Sequence, residues 1–112
     1  MQIAEEKHGG VLVLAPFGRL DTNTSGEFEA RLQQAIGAGE TSLAVDLERI
    51  DYVSSAGLRV LLLAARTLRP PAGRMVLCGL NPGVRQTFDL AGFSALFAIE
   101  PSRASAVSVL AG

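Results

Sequence analysis

Apolar residues recur along this chain at two spacings, and the changes of spacing divide it into elements. Gln2–Lys7 and the apolar run Val11–Ala15 flank the turn signal His8-Gly9-Gly10, which predicts two strands joined as a hairpin. After Gly18-Arg19-Leu20-Asp21 the period becomes helical, with Phe28, Leu32, Ala35 and Ile36 at i, i+4, i+7 and i+8. Thr24, followed three residues on by Glu27, predicts a capping box at the start of that helix. Gly37 and Gly39 predict its end. Leu43–Leu47 is short and mostly apolar, like a strand buried on both faces of a parallel sheet.

A second helix is predicted from about Ala56 to Arg69, stopped by Pro70-Pro71, which cannot continue it. The strand Arg74–Cys78 follows. Asn81 as cap and Pro82 at the first helical position open a third helix. Val84, Phe88 and Ala91 mark its buried side, and Gly92 ends it. Leu96–Ile99 reads as a last short strand, and Ser102 as the cap of a final helix to about Leu110. The order β-β-α-β-α-β-α-β-α predicts an α/β fold. Its sheet is mixed and mostly parallel, with an N-terminal antiparallel hairpin strand and about four helices.

Composition narrows the function. The chain has 112 residues, 48% of them apolar, which suits one domain over residues 1–112 with its own hydrophobic core. A net charge of -1 with no basic block argues against nucleic acid as a partner. The longest strongly apolar run, Val60–Ala65, is far shorter than the roughly 20 residues of a membrane span. Met1–Lys7 carries acid where a secretory signal carries base, so a cytoplasmic location is expected. Nothing in the pattern sets the oligomeric state, and a monomeric free form is the expectation. Cys78 stands alone, so it offers neither an internal disulfide nor a thiolate metal cluster, and a buried strand position suits it.

Enzymatic motifs are missing. There is no glycine-lysine phosphate loop and no dinucleotide fingerprint, and His8 sits in a turn without a nucleophile for company. Asp21, Asp46 and Asp51 fall near strand ends, the one carboxylate set that a metal site could draw on. No catalytic residue, cofactor or metal is expected.

The most informative stretch is Asp51-Tyr52-Val53-Ser54-Ser55-Ala56-Gly57-Leu58-Arg59, two serines and a small residue with glycine at the start of a helix. A helix start presents unpaired N–H groups and a partial positive charge. A serine there serves either as an N-cap or as an acceptor whose phosphate those groups stabilise. The helix itself is apolar nearly all round, with Leu58, Leu61, Leu62 and Ala65 on one face and Val60, Leu63 and Ala64 on another. Such a helix is wedged deeply into the fold or meets a partner. Arg59, one turn from Ser55, suits steering an acidic partner or meeting a phosphate.

Asp51–Leu61 resembles the signature of the STAS domain (sulphate transporter and anti-sigma-factor antagonist). Gly18-Arg19-Leu20-Asp21 and Met75–Pro82 resemble two further segments of that family, so the likeness spans essentially the whole chain. It implies a single STAS-type domain acting as an anti-sigma-factor antagonist in transcription regulation. Unphosphorylated, such a protein binds an anti-sigma factor that is also a serine kinase. Phosphorylation then releases it, and a metal-dependent serine phosphatase reverses the mark. The matching acceptor is Ser55, with Ser54 as the alternate, because Ser54 stands where the family often has aspartate. The implied partner surface comprises Asp21, Ser54, Ser55, Ala56, Gly57, Leu58 and Arg59, with Asp21 equally readable as a solvated loop carboxylate. The alternative the family offers is a scaffold, or a cytoplasmic subunit of a lipid-transport complex, without a phospho-switch.

Overall fold

The computed structural model describes residues Met1–Gly112. In chain order the elements are β1 (Ile3–His8), β2 (Val11–Pro16), β3 (Gly18–Leu20), α1 (Ser25–Gly37), β4 (Ser42–Asp46) and β5 (Ile50–Val53). Then come α2 (Ser55–Thr67), β6 (Arg74–Cys78), α3 (Pro82–Leu90), β7 (Ala98–Glu100) and α4 (Arg103–Ala111). A five-stranded sheet runs in the order β1-β2-β4-β6-β7. β1 pairs antiparallel with β2, His8 opposite Val11, and the remaining strands are parallel. The α/β class, the hairpin strand and the helices are those the periodicity predicts.

Three local expectations change. Gly18–Leu20 and Ile50–Val53, unassigned on pattern, are strands β3 and β5, paired in a separate two-stranded ribbon. The Leu96–Ile99 strand begins at Ala98, because Ser94–Leu96 closes into a turn of 3-10 helix. The Thr24–Glu27 capping box does not form. Thr24 has φ -113° and ψ -19° instead of the extended geometry a cap requires. Its hydroxyl is consumed inside the β3–α1 turn, donating to the Arg19 carbonyl at 2.7 Å and accepting from the Asp21 amide at 3.0 Å. The Asn81 and Ser102 caps are present, with Asn81 Oδ1 accepting from the Val84 amide at 2.8 Å. No helix is long and apolar enough to cross a membrane.

Side-chain size alternates along the three central strands, and this decides how each face is covered. Leu12, Leu14, Leu43, Val45, Met75 and Leu77 point to one face, where they join the buried side chains of α1, α2 and α3. Val11, Val13, Ala44, Val76 and Cys78 point to the other, under Ala106 and Leu110 of α4. Strand side chains alternate with a period of two, so one run of apolar residues writes both faces at once. Larger residues fill the space below several helices, and small ones let a single short helix approach closely.

Asp46 ends β4 on the α4 side and is 2% exposed. Its carboxylate accepts from Arg103 Nε at 2.8 Å and from the Glu48 amide at 3.0 Å. It therefore closes the sheet rather than gathering with Asp21 and Asp51 into a metal site.

Cys78 is fully buried, as expected, and burial, with the Asp46 charge second, pushes its thiol up to about 12. Between the ordinary thiol pKa of about 8.5 and that value, the unfolded chain loses a proton that the folded chain keeps. Stability is therefore unaffected by this group below about pH 8.5 and falls as pH rises through the window, by up to about 1.4 kcal/mol per pH unit. Urea unfolding from pH 7 to 10.5 is expected to show this slope in the wild type, and Cys78→Ala is expected to lack that component.

Candidate functional site

The β3–β5 ribbon builds the site. Its inner side chains, Leu20, Ile50 and Val53, are buried to 2% exposure or less and lock it onto the core. Pairing shifts between Gly18 and Arg19, so that Gly18 faces Ile50 while Arg19 faces Tyr52. The shift bulges Asp51 outward, and Asp51 and Tyr52 both face solvent. Arg19 lies over the Tyr52 ring, its guanidinium carbon 4.3 Å from the centroid. Asn81 Nδ2 donates to the Ile50 carbonyl at 3.0 Å, so the cap of α3 also fastens the ribbon.

At the end of the ribbon the two serines take different positions. Ser54 donates its amide to the Leu20 carbonyl at 2.9 Å, which ties β5 to the end of β3. Its extended backbone, φ -89° and ψ 175°, makes it the N-cap of α2, with its Oγ accepting from the Gly57 amide at 3.3 Å. Ser55 is the first residue inside the helix and is exposed. One hydroxyl is occupied in capping; the other faces solvent beside the unpaired N–H groups of the first turn.

Gly57 explains itself through packing. A Cβ there would lie 2.5 Å from the Leu20 carbonyl oxygen, 2.9 Å from Leu20 Cγ and 3.1 Å from Val53 Cγ1. The first turn of α2 therefore rests directly on the backbone of β3, and only glycine lets it. Leu58 is buried beneath that turn. Ala56 is half-buried and Arg59 is exposed one turn beyond Ser55. Farther along, Leu61 and Ala64 are buried, and Leu63, at 41%, is the exposed large residue of α2. The wedged reading thus holds for most of this helix.

Asp21 follows directly after Leu20 and so lies at the same end of the ribbon. It is fixed there: Arg19 Nε donates to Oδ2 at 3.3 Å and the Asn23 amide to Oδ1 at 3.0 Å. Burial pushes its carboxyl up, but the Arg19 hydrogen bond and the Asn23 and Thr24 bonds outweigh it and hold the group below the usual carboxylate value. The Leu20–Ser54 bond brings Asp21 to the helix start that carries Ser54 and Ser55, with Arg59 one turn along α2 and Gly57 and Leu58 buried behind. Arg19 and Tyr52 lie beside Asp21 and escape sequence reasoning. The signal for them was the pairing of two short strands, which periodicity does not reveal.

The STAS domain family matches residues 2–106. BtrV of Bordetella bronchiseptica, provisionally named an anti-sigma factor antagonist, is 39% identical over 96% of this chain and 93% of its own length. Among solved structures, an anti-sigma factor antagonist from Mycobacterium paratuberculosis superposes with a TM-score of 0.90 at 22% identity, covering 99% of this chain and 94% of that one. The phosphorylated form of the Bacillus cell fate determinant SpoIIAA superposes at 0.72 with 24% identity, covering 96% and 98%.

Three substitutions separate the roles of these residues. Ser54→Ala is expected to lower unfolding free energy by about 1 kcal/mol through loss of the cap, and Ser55→Ala to leave it within about 0.5 kcal/mol. Gly57→Ala ordinarily gains up to about 1 kcal/mol of helix propensity, but a clash with backbone costs about 1–3 kcal/mol or more. A net loss in urea unfolding is expected; a gain would mean that the α2–β3 approach is not close.

Proposed function

The chain belongs to the STAS family, and on that footing we propose that it is an anti-sigma-factor antagonist whose Ser55 carries the controlling phosphate. The observation that carries this reading is the division of labour between the serines. Ser54 Oγ is held by the Gly57 amide, while Ser55 is exposed at the same helix start. A kinase taking Ser54 must first break a cap; one taking Ser55 need not. The phosphorylated state of SpoIIAA, a structure of the same fold, supports the chemistry.

The charges make a physical switch. A phosphoserine adds about -1.5 to -2 charges near neutral pH. Within the domain, the start of α2 stabilises that charge by about 0.3–1 kcal/mol, so the fold persists. Across an interface the same group brings bulk and unpaired charge to a surface formed by Asp21, Ser55, Ala56 and Arg59, and it weakens association. In the unphosphorylated state this surface binds an anti-sigma factor that is itself a serine kinase, freeing the sigma factor for transcription. The kinase supplies ATP and metal, and a metal-dependent serine phosphatase restores the binding form. This chain acts in the cytoplasm as a monomer, supplying the acceptor and the docking surface and no catalytic group.

The exposed Arg19–Tyr52 stack beside Asp21 favours this surface as the docking face. Arginine and tyrosine dominate the energetics of many interfaces, and a stacked pair held in place loses little freedom on binding.

Phosphopeptide mapping of the protein from its own cells tests the reading. Phosphate is expected on the Ser55 peptide, absent in Ser55→Ala and retained in Ser54→Ala. An unmodified protein under every growth condition, or phosphate on Ser54, would overturn it. With the anti-sigma factor in hand, Ser55→Glu is expected to weaken binding about tenfold or more, by calorimetry, while Ser55→Ala binds and resists release.

A further inference from the structure

α4 is held differently from the other helices. Like α3 it has nine residues, below the roughly 12–15 at which an isolated helix becomes marginally stable in water, so tertiary contacts must hold it. It lacks an aromatic anchor such as Phe88 of α3. Its buried side chains are Ala106 and Leu110, with Val107 partly covered. The apolar cluster they join has 7 buried residues, against 20 in the cluster under α1, α2 and α3. The Ser102–Ser105 capping box stabilises the helix start but attaches it to nothing else.

Attachment falls to polar links. Arg103 Nε donates to buried Asp46 at 2.8 Å, and Arg103 Nη1 to Glu6 on β1 at 2.7 Å. Arg74 Nη1 donates to the Val109 carbonyl near the other end at 3.1 Å. Arg103 is thus the side chain that joins the helix to two strands at once, and the cation paired with the one carboxylate buried in the fold.

We infer that α4 is a latch that opens as a unit while the rest of the domain stays folded, and that Arg103 is its catch. Opening uncovers Val11, Val13, Ala44, Val76 and Cys78 along one face of the sheet. It leaves α2, α3 and the β3–β5 ribbon packed on the opposite face, so the serine-bearing surface persists in the open state. Elements with few buried apolar contacts are the ones that open below the global unfolding limit.

Cys78 is a built-in reporter, because it is the sole cysteine and is covered by α4. Labelling with a chromogenic disulfide reagent at pH 8, at a series of urea concentrations below the unfolding transition, yields an opening constant. Circular dichroism yields the global unfolding constant for the same protein. The opening constant is expected to exceed the global one about tenfold or more in water and to depend little on urea until the transition. Arg103→Ala is expected to raise labelling about tenfold or more, since it removes the partner of a buried carboxylate in the closed state only. Val84→Ala, which weakens α3 on the other face, is expected to raise the global constant and to leave labelling unchanged at every urea concentration where that constant stays below the opening constant.

Labelling that follows the global constant across the whole urea range would overturn the latch. So would Val84→Ala raising both constants by one factor while the global constant is still below the opening constant. Labelling unchanged by the Arg103 variant would remove that residue as the catch. Should Arg103→Ala fail to fold, Arg103→Lys, which keeps the charge and loses the fork, makes the same comparison with a smaller expected rise.

Discussion

The close approach of the first turn of α2 to the end of β3 is the constraint from which the serine-bearing surface follows. Gly57 has no room for a Cβ against the Leu20 carbonyl, and the same carbonyl accepts the Ser54 amide at 2.9 Å. One peptide group thereby sets the ribbon, the cap and the helix start in a single arrangement. Once Ser54 is the cap, Ser55 must be the first helical residue, and its side chain must leave the helix beside the unpaired amides. The backbone also brings Asp21 to that place, because it follows Leu20 directly. Small residues in this segment are thus geometry first and chemistry second.

The sheet divides the molecule into two unequal halves. Large aliphatic residues on one face meet α1, α2 and α3; small ones on the other meet α4 alone. The larger cluster carries the serine-bearing surface, so that surface stands on the better-packed half. The smaller half relies on charge, through Arg103, to hold what little apolar burial it has. A buried carboxylate needs a partner, and Asp46 finds one on α4.

Electrostatics at the end of the ribbon that carries the two serines are local rather than global. The net charge is -1, so no long-range field marks the site. What marks it is arrangement: a carboxylate held by Arg19, a guanidinium stacked on Tyr52, and a helix start with free amides. Under the proposed switch, a phosphate on Ser55 would meet dipoles that tolerate it and would alter the surface offered to a partner.

Periodicity and punctuation by themselves determined the long elements, the hairpin, the Asn81 and Ser102 caps and the α/β class, because these are local choices. The serine-glycine segment was legible as a helix start, and the resemblance it carried pointed to the family. The ribbon was not legible. β3 has too few residues to show a period, and in β5 the bulge at Asp51 breaks the alternation, leaving two outward residues between Ile50 and Val53. Thr24 and Glu27 matched a capping box that the tight β3–α1 turn prevented. Nor could pattern say which serine caps and which faces solvent, or that Asp46 meets Arg103, 57 residues away. Those outcomes depend on distances between segments remote in sequence, and only the packed fold sets such distances.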